Sequence, residues 1–354
     1  MAHFATVMVA LGEHKARPYV EETMKIDVGM LVPNLLEIPN VARAAEDIGF
    51  DCLWTSETQH EPFLPLAIAA EHTTRIELGT AIAVAFPRSP TVLAHIAWDL
   101  ANASNGRFIL GLGTQVKAHI ERRFGMTWEA PAAKLREMIL AMRALWDTWQ
   151  NGTKLNFRGK FYKLTLMSPF FNPGSIEHPD IPIYIAGINE VLCRVAGEVC
   201  QGFHVHPFHT ARYIREIVLP NIARGAASAS RTRADVQLSS AIFVATNDDE
   251  REAARQQISF YASTPTYKTV LDVHGWGEVN QQLGALAARG KWDEMPALIT
   301  DEILNEVAII APPDQVPARI KERYAGLLDR VTFYAPFTPE EAPKWQAMVS
   351  AFRI

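Results

Sequence analysis

Cysteine is scarce: Cys52, Cys193 and Cys200 are the only three in 354 residues. That number and spacing do not make a disulfide scaffold. Cys193 and Cys200 fall on one helix and its exit, where packing accounts for them. No apolar run reaches the ~20 residues of a membrane span. The short apolar stretch from Phe4 to Leu11 has no basic region before it and acidic residues after it, unlike a signal peptide. The expectation is a cytoplasmic protein with an N-terminal extension over residues 1–24. Long basic runs are missing too, and the net charge is −5. Nucleic acid and anionic membrane surfaces are therefore poor partners. Repeats, low-complexity tracts and Pro/Gly/Ser linkers are also absent, which argues for one domain over 25–354 rather than a string of modules.

Metal-ligand patterning is equally thin. His204, His206 and His209 follow no standard zinc spacing. "IDVGMLVP" lacks the His-x-His that a barrel metallohydrolase carries near its first strand, so no metal is expected. What remains is an ordinary globular composition, 48% hydrophobic and 21% charged, sufficient for a sizeable core.

The sequence does show a regular alternation. "MKIDVGMLV", "DCLWTS", "RIELGTAIAV" and "RFILGLG" are apolar strand-like runs. They are separated by the amphipathic "NVARAAEDIGF", by "LPLAIAAEHT" and by "SPTVLAHIAWDLANASNG", which has a Ser-Pro start and an Asn-Gly end. The pattern resumes with "IPIYIAG", "QGFHVHP" and "VQLSSAIFVAT", and "DRVTFYAPF" closes it as an eighth strand. Apolar strands separated by helices imply a parallel sheet covered on both faces. Eight units imply an α/β fold, a (β/α)8 TIM barrel. "LNFRGKFYKLTLMS" reads as a β-hairpin inserted after unit four. Residues of about 247–325 are helix-forming and too long for one crossover, and so read as a helical insertion before the last strand.

In such barrels the chemistry gathers at the C-terminal ends of the strands. The second strand runs out into "SETQHEPF", which places a carboxylate and an imidazole, Glu57 and His60, where a turn alone requires neither. "GLGT" puts Gly111 and Gly113 where a flat ring would find room. "AGINE" joins a strand to a helix start: the amides of Gly187, Ile188 and Asn189 form a phosphate cradle, or Asn189 is simply an N-cap. Trp54, Phe63, His206 and Phe208 are candidate walls of a substrate pocket.

Together these ends resemble the luciferase-like monooxygenase superfamily, most closely its branch that uses the deazaflavin coenzyme F420. The resemblance runs from Met24 to about Phe337. It rests on "GFDCLWTSE", on "ELGTAIAVAFPRSPTVLAHIAWDLANASNGRFILGLGT", on "RRFG", and on "IPIYIAGINEVLCRVAGEVCQGF". It implies a hydride-transferring oxidoreductase acting on a small organic substrate, with coenzyme F420 lying across the strand ends, and a homodimer. In the deazaflavin-using relatives the second strand ends in an Asp-His pair. The matching positions here are Glu57 and Thr58, so the acid is kept with one more methylene and the imidazole is displaced to His60. The resemblance assigns catalysis to Glu57, His60 and Gln115. It assigns cofactor contacts to Thr58, Thr80, Ala81, Ile82, Gly113, Thr114, Gly187, Ile188 and Asn189, with Ala81–Ile82 as a cis peptide behind the ring and "AGINE" as the phosphate turn. Alternatives within the same fold are an FMN-dependent monooxygenase and a non-catalytic flavin or deazaflavin carrier.

Overall fold

The computed structural model describes residues 24–31 and 34–353. Apart from Met24, the extension expected over 1–24 lies outside them. Eight strands run parallel: β1 (Lys25–Met30), β2 (Cys52–Thr55), β3 (Glu77–Thr80), β4 (Phe108–Gly113), β5 (Ile183–Gly187), β6 (Gly202–Val205), β7 (Gln237–Ala245) and β8 (Arg330–Pro336). Each pairs with the next, β6 pairs with β7, and β8 pairs with both β7 and β1, so the sheet closes on itself. This is the (β/α)8 barrel that the alternation predicts.

The connecting helices begin and end where the sequence signals them. Helix α1 (Ile38–Ile48) stops at Gly49, whose φ of 94° is open to glycine at little cost. Helix α2 spans Phe63–His72. Helix α3 (Pro90–Ala103) has Pro90 in its first turn and Ser89 as its N-cap, accepting from the Val92 amide. The long helix α4 (Pro131–Asn151) ends at Gly152, again in the left-handed region. Helix α5 (Glu190–Val199) follows β5 directly.

The "NGRF" segment proves structural. Asn105 and Gly106 turn the chain with positive φ, and Arg107 then donates to the carbonyls of Ala70, Thr73 and Ile76, tying the end of α2 to the start of β3. The inserted hairpin is small, pairing Phe157–Arg158 with Lys163–Leu164 antiparallel. Glu137 on α4 holds it by accepting from the amides of Lys160, Phe161 and Tyr162.

Between β7 and β8 the chain is mainly helical. Helix α6 (Asp248–Ala262) leads, and shorter helices and helical turns follow, among them Pro265–Tyr267 and Gly277–Ala287. One short strand not expected from sequence, Ala308–Ile310, lies parallel against β7. Among the described residues no helix is long and apolar enough to cross a membrane. Most of the core lies between barrel and helices, and a second cluster of Cys52, Trp54, Ile109 and Tyr184 fills the lumen.

Candidate active site

Because strand residues alternate, one set from each strand faces the lumen. At its lower level Arg330 on β8 makes a two-pronged ion pair with Asp27 on β1, at 2.8 and 2.9 Å, and reaches Glu77 at 2.7 Å. The Trp54 indole donates to the same Asp27 carboxylate at 2.9 Å, and its ring packs on His204 and Tyr184. Trp54 is thus buried inside the barrel rather than standing as an open pocket wall. Phe63 and Phe208 are buried as well, Phe63 beneath the Arg88 guanidinium.

One step higher the lumen opens. Gly29, Ala81, Ile82, Ala186 and Gly187 stay partly exposed at or just past the ends of their strands. The Ala81–Ile82 peptide is cis. Ala81 N donates to Thr55 O at 2.6 Å and Glu57 N donates to Ile82 O at 3.1 Å, so the end of β2 grips this segment from both sides. The Thr80 hydroxyl donates to Gly111 O and accepts from Gly111 N, locking β3 to β4.

The glycines of "GLGT" hold no open space. A Cβ on Gly111 would sit 1.7 Å from Thr80 O, and one on Gly113 would sit 2.6 Å from Ile82 Cδ1. They are small so that Ile82 can be seated behind the mouth. Thr114 and Gln115 continue from there. Gln115 takes a φ of 59° and uses its own side-chain oxygen to accept from the Val116 amide.

The carboxylate singled out in the sequence is committed elsewhere. Glu57 pairs with Arg88 at 2.8 and 3.3 Å and accepts from Val84 N at 2.7 Å. Arg88 also donates to Val84 O and to Glu61, while Glu61 caps the start of α2 through the amides of Phe63 and Leu64. Its three donors, Val84 N and two nitrogens of the Arg88 guanidinium, engage both carboxylate oxygens. Through these bonds Glu57 braces the loop that follows Ala81–Ile82. Thr58 and His60 are exposed on the bend beyond it, and Arg123 donates to Thr58 O.

At the other side of the mouth, Asn189 caps α5 by accepting from Leu192 N at 2.9 Å. The amides at the helix start point out of its positive end. Ile188 O accepts the Tyr213 hydroxyl, which fixes the turn. Gly187 is required by packing, since a Cβ there would lie 2.7 Å from Leu192 Cβ.

His206 on the end of β6 was expected in the pocket, and it lies half-buried among side chains that the sequence reading did not single out: Tyr261 and Tyr267 of the insertion, with Phe243 and Tyr334 beside them. Strand parity from Arg330 would have pointed to Tyr334; the two insertion tyrosines carry no periodic signal. Burial and the neighbouring His209 push the His206 imidazole down to about 3.

The closed barrel defines the class: a (β/α)8 protein, a fold that in enzymes carries its chemistry at the carboxyl ends of the strands. More particularly, the chain belongs to the luciferase-like monooxygenase family, whose model matches residues 6–330. It is 44% identical over 314 residues to an uncharacterized protein of Mycobacterium tuberculosis, covering 87% of this chain and 92% of that one. A 5,10-methylenetetrahydromethanopterin reductase of Archaeoglobus fulgidus is 29% identical, with 86% and 91% covered. The solved coenzyme F420-dependent tetrahydromethanopterin reductase of Methanopyrus kandleri shares the fold, with a TM-score of 0.73 at 22% identity over 91% of this chain and 97% of that one.

Proposed function

We propose that this chain is an oxidoreductase that uses coenzyme F420 to move a hydride to or from a small organic substrate. The observation that carries the reading is the shape of the mouth. A half-exposed floor at Gly29, Ala81, Ile82 and Ala186 leaves room for a flat ring, and a capped helix start at Asn189 stands on its rim. The relatives named above as reductases support the choice of the deazaflavin over FMN.

When bound, the coenzyme supplies a hydride donor or acceptor carbon. The protein's residues do the rest. The Ala81–Ile82 backbone and the Ile82 side chain back the ring. The amides of Ile188 and Asn189 hold the phosphate, and Glu57 positions the rear wall through Val84 N and Arg88. His60, exposed beyond the bend, and Gln115 are the candidates for handling the substrate proton and oxygen.

The test is a titration of the apoprotein with F420 and, separately, with FMN, followed by cofactor fluorescence. F420 is expected to bind at least tenfold more tightly; a preference for FMN overturns the reading. Asn189→Asp keeps a good N-cap while adding a negative charge at the rim. It should weaken F420 binding about tenfold, some 1.4 kcal/mol, with melting temperature unchanged.

A further inference from the structure

The mouth is lopsided. From β1 to β5 its upper positions are small, whereas from β6 to β8 they are His206, Phe243 and Tyr334, and the insertion lays Tyr261 and Tyr267 over them. The Tyr261 and Tyr334 hydroxyls are 2.5 Å apart. His206 meets Tyr261 edge-on at 4.7 Å and Tyr267 at 4.4 Å, and Phe243 packs against Tyr334 at 4.3 Å. Two phenols carry two protons, and their mutual hydrogen bond consumes one. The other is free to be donated, and Tyr334 is 38% exposed. No step of the proposed hydride transfer makes use of this pair.

We propose that the Tyr261–Tyr334 phenol pair is the substrate-recognition element of the mouth, taking an uncharged, flat or alicyclic substrate whose carbonyl oxygen accepts the free phenolic proton. The proposal deepens the oxidoreductase reading and rests on it for the position of the reacting carbon over the Ala81–Ile82 side.

The surroundings set the charge of the ligand. His206 is neutral at physiological pH for the reason given above. Burial pushes the Tyr267 phenol up to about 12 and raises Tyr334 as well, so these phenols stay protonated at neutral pH. Arg88, which lies just past the Ala81–Ile82 segment, is held by Glu57 and Glu61. A phosphate or carboxylate brought among these rings would lose its water without gaining a cation. A carbonyl group only accepts, which matches a donor polarised by its partner, and aromatic walls favour a flat apolar body.

The full-length protein, without coenzyme and then with saturating F420, is titrated with acetophenone and with benzoate by quenching of intrinsic fluorescence. Acetophenone should bind at least tenfold more tightly than benzoate. Tyr334→Phe keeps the ring and should weaken acetophenone about tenfold, the value of one hydrogen bond. Tyr261→Phe should weaken it about threefold by removing the polarising partner. F420 affinity and melting temperature should not move in either variant. Equal or tighter benzoate binding, unchanged acetophenone affinity in Tyr334→Phe, or no acetophenone binding by the parent protein overturns the proposal. Failure of F420 to bind would instead sink the coenzyme assignment, and the ketone titration without coenzyme would still read the phenol pair.

Discussion

Arg330 and Tyr334 point into the same lumen from the same strand, four residues apart, yet Arg330 is 1% exposed and Tyr334 is 38% exposed. Around Arg330 the charged groups are matched, and only the buried His204 Nε2 lacks a partner among the described residues there. Asp27 takes both prongs of the guanidinium and the Trp54 indole, Glu77 takes Arg330 and Lys25, and Tyr184 donates to Gln237. Such a level is closed, with its charges spent on one another. Around Tyr334 the side chains are neutral, and a phenolic proton is unspent. The barrel separates its tasks by height: the lower lumen is filled and charge-matched, and the mouth keeps spare hydrogen-bonding capacity. Four residues of one strand are enough to cross from one regime to the other.

The hardest blow to this division is Arg330→Met. Removing one partner strands the buried Asp27 carboxylate, and breaking a buried pair in this way costs roughly 3–5 kcal/mol. Urea unfolding should show a loss of that size. The double variant Asp27→Leu with Arg330→Met should recover most of it, because no unpaired charge then remains. A single variant as stable as the parent would mean that the lower lumen is less tightly built than its distances indicate.

Acid offers a second route. Burial holds His204 near 3, helped by the Arg330 charge, and His209 near 4. Both values lie below the ordinary 6.5, so the unfolded chain binds more protons than the folded one between these limits. The stability these imidazoles contribute is whole above pH 6.5 and is lost as the pH falls toward 4 and then 3. From pH 7 to pH 5 the loss is at most about 2 kcal/mol for each. His204→Gln should flatten that slope; an unaltered slope would show that His204 is not the group being protonated.

The division by height also explains what the sequence made visible. Strands, helices and the hairpin declare themselves locally through period, caps and glycine, so the barrel was legible. Glu57 stood out because a carboxylate at a strand end is unusual. Its partner Arg88 lies 31 residues away, and only folding shows that the charge is already taken. "GLGT" looked like open space, and it is space filled by Thr80 and Ile82 from the neighbouring strand. Tyr261 and Tyr267 sit in an insertion with no strand parity, and their place over His206 depends on how that insertion folds back. Local chemistry is written in the chain, whereas occupancy is decided by residues far off in sequence.

Glu57→Gln tests the comparison most finely, because Glu57 stands at the rim where brace and catalyst would look alike. Glutamine keeps the length and can still accept from Val84 N, but it cannot neutralise Arg88, which retains only Glu61. A brace of this kind is worth about 1–2 kcal/mol, or a fall of about 1–3 °C in melting temperature for a chain of this size. F420 affinity should fall slightly as the Ala81–Ile82 wall loosens, and turnover should stay within about threefold of the parent. If Glu57 were the base, the pattern would invert, with turnover down ~10²-fold and the melting temperature unmoved. Arg88→Lys separates the two readings again: it keeps the charge and loses the fork that grips Glu57, so it should repeat the melting shift of Glu57→Gln if the pair is a brace.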